Sequence, residues 1–211
     1  LRGKKQEYQT RALIVAAGAS HKKLGVPGED AYIGRGVSYC AVCDGAFYRG
    51  LDAVVVGGGN IAAEDALYLS RFCRSVRLIH RRDALRASAI LQEQLKQTEN
   101  IEILWNTVVE EICGGSLVES VKLRNRETGE SRVLPANGVF VAVGINANSE
   151  IFLPELHCES GFIAAAEDCV TNIPGVFAAG DIRTKKLRQV VTAVSDGASA
   201  VSSAEEYLRT L

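Results

Sequence analysis

Short apolar runs alternate with glycine turns along this chain, and the spacing of the hydrophobic positions changes twice. Residues 12–16 (Ala-Leu-Ile-Val-Ala) read as a buried strand ending in Ala17-Gly18-Ala19-Ser20, and residues 24–29 read as loop with no helix between. Ala53-Val54-Val55-Val56 predicts a second strand that runs into Gly57-Gly58-Gly59-Asn60-Ile61-Ala62, after which Ala63, Ala66, Leu67 and Leu69 recur at helical spacing. Val76-Arg77-Leu78-Ile79 is the next strand, and residues 84–97 predict a second amphipathic helix with Asp83 as its N-cap. Strand, helix, strand, helix implies a parallel sheet.

From residue 101 the pattern becomes strand after strand: 101–104, 108–112, 118–123 and 132–134, with Gly114-Gly115 and Thr128-Gly129 as turns. A small antiparallel meander is expected there. Residues 138–144 are one apolar run, expected to return to the parallel sheet, and residues 145–154 are looser. Gly161-Phe162-Ile163 and Val176-Phe177-Ala178-Ala179 are strand-like, Gly180-Asp181 reads as a turn, and residues 189–208 predict a helix of small residues that packs closely.

Composition narrows the setting. With 211 residues, 47% hydrophobic and 23% charged, the chain can bury one large core or two modest ones. A net charge of −1 offers no basic stripe for nucleic acid or an anionic membrane, and no apolar run approaches the roughly 20 residues of a membrane helix. The chain starts at Leu1 and has no Met, so a processed or partial chain is expected. Six cysteines, only two of them closely spaced, fit a reducing compartment, and the expectation is cytoplasmic.

The closely spaced pair carries the chemistry. Cys40-Ala41-Val42-Cys43-Asp44-Gly45 sets two thiols at redox spacing with a carboxylate directly behind the second. Asp44 is placed to move a proton as a thiolate leaves or re-forms. A structural zinc site would want four ligands, and Cys73, Cys113, Cys158 and Cys169 stand singly, so no metal is expected. Gly57-x-Gly59-x-x-Ala62 fits a dinucleotide turn between a buried strand and a helix start, where backbone amides meet the pyrophosphate. An acidic residue at the end of the next strand would select NAD; here the chain reads His80-Arg81-Arg82, with Arg86 one helical turn beyond. Guanidinium groups suit the 2′-phosphate of NADP.

Taken in order, Cys40-Ala-Val-Cys-Asp-Gly, Gly57-Gly-Gly-Asn-Ile-Ala, His80-Arg-Arg-Asp, residues 174–181 (Pro-Gly-Val-Phe-Ala-Ala-Gly-Asp) and Arg188-Gln-Val-Val-Thr-Ala resemble the low-molecular-weight thioredoxin reductases, flavoproteins of the pyridine nucleotide–disulfide oxidoreductase family. The resemblance implies a Rossmann-like NADPH-binding α/β domain, a parallel sheet with an antiparallel meander, inserted at residues 34–145 into an FAD domain represented by residues 1–33 and 146–211. It implies electron flow from NADPH through FAD to a Cys40–Cys43 disulfide and on to a thioredoxin-like protein, with Asp44 as acid/base. Cys40 is then the thiol of exchange and Cys43 faces flavin. Gly57, Gly58, Gly59, Asn60, Ile61, Ala62, Glu64, His80, Arg81, Arg82, Arg86 and Gly144 are expected among the cofactor contacts, as are Ala17 and Gly18. Gly180 and Asp181 are expected at the ribityl and phosphate portion, and Arg188, Gln189 and Val190 along the isoalloxazine. A homodimer is implied for the complete enzyme, and so is a domain rotation with hinges near Gly34-Arg35-Gly36 and residues 145–149.

The departures bear on function. Only one glycine fingerprint is present, and it belongs to the NADPH domain, so this chain by itself is expected to bind FAD weakly or not at all. Ala17, Ala147 and Ala164-Ala165-Ala166 replace residues that are commonly Thr, Pro or polar in the family. The alternatives are a non-catalytic NADP-binding fragment, or a relative that serves a peroxiredoxin-type module or draws on ferredoxin.

Overall fold

The structure, a computed structural model, describes residues 6–152 and 154–211; residues 1–5 and residue 153 of the looser segment lie outside it. The chain forms two compact units, one built from residues 6–20 with Ile145–Leu211, the other from His21–Gly144. The first contains β1 (Leu13–Val15), and β2 (Ala19–His21) follows where the chain passes to the second. That passage falls before residue 34, the expected boundary. Residues 21–33 pack with the second unit: the Ile112 amide donates to Pro27 O at 3.0 Å, and Leu24, Val26 and Tyr32 line its core. Glu29, only 2% exposed, accepts from the Leu24 and Gly25 amides and from Tyr39 Oη.

The second unit runs in order through β3 (Val37–Ser38), α1 (Ala41–Asp44), β4 (Asp52–Gly57), α2 (Asn60–Ser70), β5 (Ser75–Ile79), α3 (Ala89–Gln97), β6 (Ile101–Leu104), β7 (Thr107–Gly114), β8 (Val118–Asn125), β9 (Ser131–Pro135) and β10 (Gly138–Ala142). Five of these make a parallel sheet in the order β3-β10-β4-β5-β6. The continuous apolar run of β4 follows from burial on both faces. Ala53 and Val55 pack with Ala62, Ala63, Ala66 and Leu69 of α2, whereas Val54 and Val56 pack with Ile112, Val121 and Leu123 of the antiparallel sheet β7-β8-β9. Helices thus cover one face and the meander the other, and β10 returns to the sheet as expected.

Two expectations change. Residues 101–104 do not belong to the meander but extend the parallel sheet, with Val76 opposite Ile101, because α3 carries the chain back across the helical face. And α3 starts at Ala89, so Asp83 is not its cap. The backbone of residues 84–88 is engaged elsewhere: the Arg86 amide donates to Gly58 O at 2.7 Å, the Ser88 amide to Asn60 Oδ1 at 2.9 Å, and Ala84 O lies 3.0 Å from His80 Nε2. Groups committed to the glycine turn are not free to close a helical ladder.

In the first unit, β11 (Ile145–Ala147) leads to the antiparallel pair β12 (Cys158–Glu159) and β13 (Phe162–Ile163), then to β14 (Val176–Ala178), which lies parallel to β1. The closing helix α4 (Val190–Leu208) begins in a capping box between Gln189 and Thr192 and buries Asp196, Ala200 and Ala204 on one stripe. Among the described residues, no helix is long and apolar enough to cross a membrane.

Candidate active site

The Cys-x-x-Cys segment folds into a single turn of helix, which brings its two sulfurs together. Cys40 and Cys43 form a disulfide, and Cys40 is also the N-cap of α1, its Sγ accepting the Cys43 amide at 3.1 Å. Cys43 is exposed and Cys40 half-buried. Behind them the Ser38 hydroxyl donates to Asp44 Oδ2 at 2.6 Å and accepts the Cys40 amide at 3.0 Å. Ser38 is buried at the end of the sheet's edge strand, so it fixes the carboxylate against the turn that carries the disulfide. Nothing in the local pattern marked Ser38: a two-residue strand has no period to read. The site can take two electrons into a disulfide and holds a carboxylate beside it for the protons.

The glycine turn lies at the carboxyl end of β4, where α2 starts. Its three glycines stand in three different surroundings. A Cβ on Gly57 would lie 2.5 Å from Ala142 O and 2.6 Å from Ala62 Cβ, so this glycine lets strand and helix approach. On Gly58 it would fall 2.1 Å from the His80 ring, whereas on Gly59 it would meet nothing within 4 Å. Gly59 caps α2 with no side-chain hydrogen bond, which leaves the first amides of an 11-residue helix facing that open space. Open amides at a helix start are suited to an anion such as a pyrophosphate.

His80 does not join its neighbours at the surface. It is 5% exposed, with Nδ1 2.8 Å from Gly57 O and Nε2 3.0 Å from Ala84 O, and so it ties the glycine turn to the basic loop. Arg81, Arg82 and Arg86 are exposed on that loop. The Asn60 side chain is likewise used internally, to hold Ser88. Ala62 is buried against Gly57, while Ile61 and Glu64 are exposed on α2. Gly144 closes the unit in the left-handed region, with its carbonyl accepting from the Lys22 amide.

In the first unit Gly180 (φ +77°) opens a short turn after β14, and Asp181 follows. Asp181 Oδ1 is buried with no hydrogen-bond partner among the described residues, an acceptor suited to a hydroxyl of a bound ligand. The turn is held by a buried ion cluster that the sequence reading missed. Asp196 Oδ2 accepts the Gly180 amide at 2.8 Å, Arg183 Nε at 2.8 Å and Lys185 Nζ at 2.7 Å, and its Oδ1 accepts from Arg183 at 2.6 Å. Burial opposes charge on Asp196, but these donors outweigh it and hold the carboxyl at about 2. Its signal was available: position 196 shares the stripe of Ala200 and Ala204, and a carboxylate on a buried stripe demands partners. Arg188 stacks 4.0 Å over the Phe162 ring, Gln189 caps α4, and Val190 is 81% exposed at the helix start. Ala17 is exposed beside Gly18, and its carbonyl accepts from the Asn148 side chain.

The chain and its fold have counterparts among known proteins. The chain is 48% identical over 206 residues to thioredoxin reductase of Listeria innocua, covering 97% of this chain and 65% of the relative, and 47% identical to thioredoxin reductase of Bacillus subtilis, covering 98% and 66%. The crystal structure of thioredoxin reductase from Streptococcus pyogenes superposes with a TM-score of 0.89 at 44% identity, over 95% of this chain and 66% of that one. The chain therefore spans about 65% of the length of the first of these relatives. A family description, pyridine nucleotide-disulphide oxidoreductase, matches residues 1–197, the stretch that holds the disulfide, the glycine turn and the Asp181 turn, and to that family this chain belongs.

Proposed function

We propose that this chain carries the disulfide and nucleotide centres of a thioredoxin reductase that draws electrons from NADPH through FAD. The observation that carries the reading is the placing of a Cys40–Cys43 disulfide and a positioned Asp44 in the same unit as a dinucleotide turn flanked by guanidinium groups. Gly59 and the open amides of α2 receive the pyrophosphate, and Arg81, Arg82 and Arg86 receive the 2′-phosphate, which favours NADPH over a protein electron donor. Asp181 would hold a ribityl hydroxyl of FAD through its unpartnered oxygen, with Gly180, Arg188, Gln189 and Val190 alongside. When bound, FAD supplies the two-electron link between nicotinamide and disulfide.

The chain's own residues do the rest. Two electrons and two protons convert the Cys40–Cys43 disulfide to a dithiol, with Asp44 holding a proton next to the sulfurs under the control of Ser38. The Cys43 amide already points at Cys40 Sγ, where it stabilises a thiolate, so Cys40 is assigned as the thiol that attacks the disulfide of thioredoxin. Cys43 then attacks the mixed disulfide, releasing reduced thioredoxin and restoring the Cys40–Cys43 bond.

The test is NADPH-dependent reduction of thioredoxin, assayed with this chain and with a form extended at its N-terminus to supply a second dinucleotide-binding unit. Activity is expected in the extended form, abolished by Cys43→Ser and reduced about 10²-fold by Asp44→Asn, the scale of general acid–base catalysis. An extended, flavin-loaded protein that oxidises NADPH but leaves thioredoxin oxidised would overturn the reading.

A further inference from the structure

The basic loop has a neighbour that the sequence does not place there. Arg126 lies in the β8–β9 turn, far from residue 81 along the chain, yet three hydrogen bonds root it beside the loop. The Asn106 amide donates to Arg82 O at 3.1 Å, the Arg126 amide donates to Asn106 O at 2.6 Å, and Arg126 Nη1 donates to Arg81 O at 3.2 Å. The first two are backbone bonds, so the position does not depend on a side-chain rotamer. Arg126 is exposed, and among the described residues no carboxylate forms an ion pair with it. The neighbouring acid, Glu127, instead accepts from the Asn106 side chain at 2.9 Å. Arg126 uses one of its five N–H donors on Arg81 O and leaves the rest of the fork free.

Arg126 thus brings a fourth exposed guanidinium to the loop that carries Arg81, Arg82 and Arg86, and a concentration of like charge favours an anion of high charge density. We propose that Arg126 is a further guanidinium of the 2′-phosphate site and a determinant of preference for NADPH over NADH. The inference rests on the reading of Arg81 and Arg82 given above. It adds that the meander supplies part of the dinucleotide site as well as covering a sheet face.

The experiment is calorimetric titration of the 211-residue chain with NADPH and with NADH, comparing wild type, Arg126→Ala, Arg126→Lys and the double variant Arg81→Ala/Arg82→Ala. Arg126→Ala is expected to weaken NADPH binding about fivefold while NADH binding stays within twofold, as for loss of one exposed charge-assisted contact. Arg126→Lys should recover part of the loss, and wild-type NADPH affinity should fall more steeply with salt than that of Arg126→Ala. The inference fails, with the site reading intact, if Arg126→Ala changes both affinities alike or neither while the double variant loses the NADPH preference. If the double variant keeps that preference, or the wild-type chain binds neither dinucleotide, the site reading fails and the inference with it.

Discussion

The two turns proposed above to meet nucleotides are held in opposite ways. At Gly57 and Gly58 the backbone is shaped by close packing, with Ala62, Ala142 and the His80 ring filling the space where side chains would be, and the ionic groups stay outside on an exposed loop. At Gly180–Asp181 the backbone is tied by buried charge, Asp196 gripping the Gly180 amide while Arg183 and Lys185 neutralise it. The first arrangement leaves its cations free to meet an anion from solution. The second spends its cations internally and, among the described residues, leaves one buried carboxylate oxygen, on Asp181, with no partner. Exposed charge at one turn is available for recognition; buried charge at the other holds the backbone in place.

The largest effect should come from the buried cluster. Asp196→Asn leaves Arg183 and Lys185 buried without their counter-charge, and removing one partner of such a pair costs about 3–5 kcal/mol. The loss should appear in urea denaturation at neutral pH. Because the Asp196 carboxyl titrates at about 2 in the folded chain and near 3.9 when unfolded, its contribution is complete above about pH 4 and fades as pH falls towards 2. The deficit of Asp196→Asn should shrink over that window. A deficit equal at pH 7 and pH 2.5 would show that charge is not what holds the Gly180 turn.

Substitution at the glycine turn should be smaller and should split. Gly58→Ala pushes a methyl group into the His80 ring and is expected to cost about 1–3 kcal/mol of stability, together with a loss of NADPH affinity. Gly59→Ala meets open space at an ordinary φ of −98°, so thermal unfolding should move by less than about 0.5 kcal/mol while NADPH affinity still falls. Equal melting shifts for the two variants would break the claim that packing, position by position, shapes this turn.

A half-buried carboxylate, Asp65, sharpens the contrast with Asp196. Asp65 lies in a cavity of about 640 Å³ between α2 and α3 and has no hydrogen-bonding partner among the described residues. Burial, reinforced by the charge of Glu64, raises its carboxyl to about 7. A folded-state value above the unfolded one means that the carboxylate weakens the fold increasingly as pH rises from about 4 to 7. Asp65→Asn should therefore stabilise the chain by about 1–2 kcal/mol at pH 8 and not at pH 4. Differential scanning calorimetry at the two pH values decides it, and a gain present equally at both would refute the assignment.

The sequence by itself determined what short-range order can carry. It located the β4 run, the glycine turn and the start of α2, the redox pair with its carboxylate, the return of β10 to the sheet and the span of α4, because each is written in consecutive residues of fixed period or spacing. Only the tertiary structure decided matters that depend on partners distant in sequence. Helix α3 starts late because the backbone of residues 84–88 binds Gly58, Asn60 and His80, and the strand Ile101–Leu104 leaves the meander for β5. His80 turns inward because its two ring nitrogens meet Gly57 O and Ala84 O, while Arg81 and Arg82 stay at the surface. Ser38 finds Asp44, Asp196 finds Arg183 and Arg126 finds Arg81 O through packing that no local pattern encodes. Hydrogen bonds and ion pairs act over a few ångströms in space whatever the distance along the chain, so the reactive groups are legible in the sequence and the groups that aim them are not.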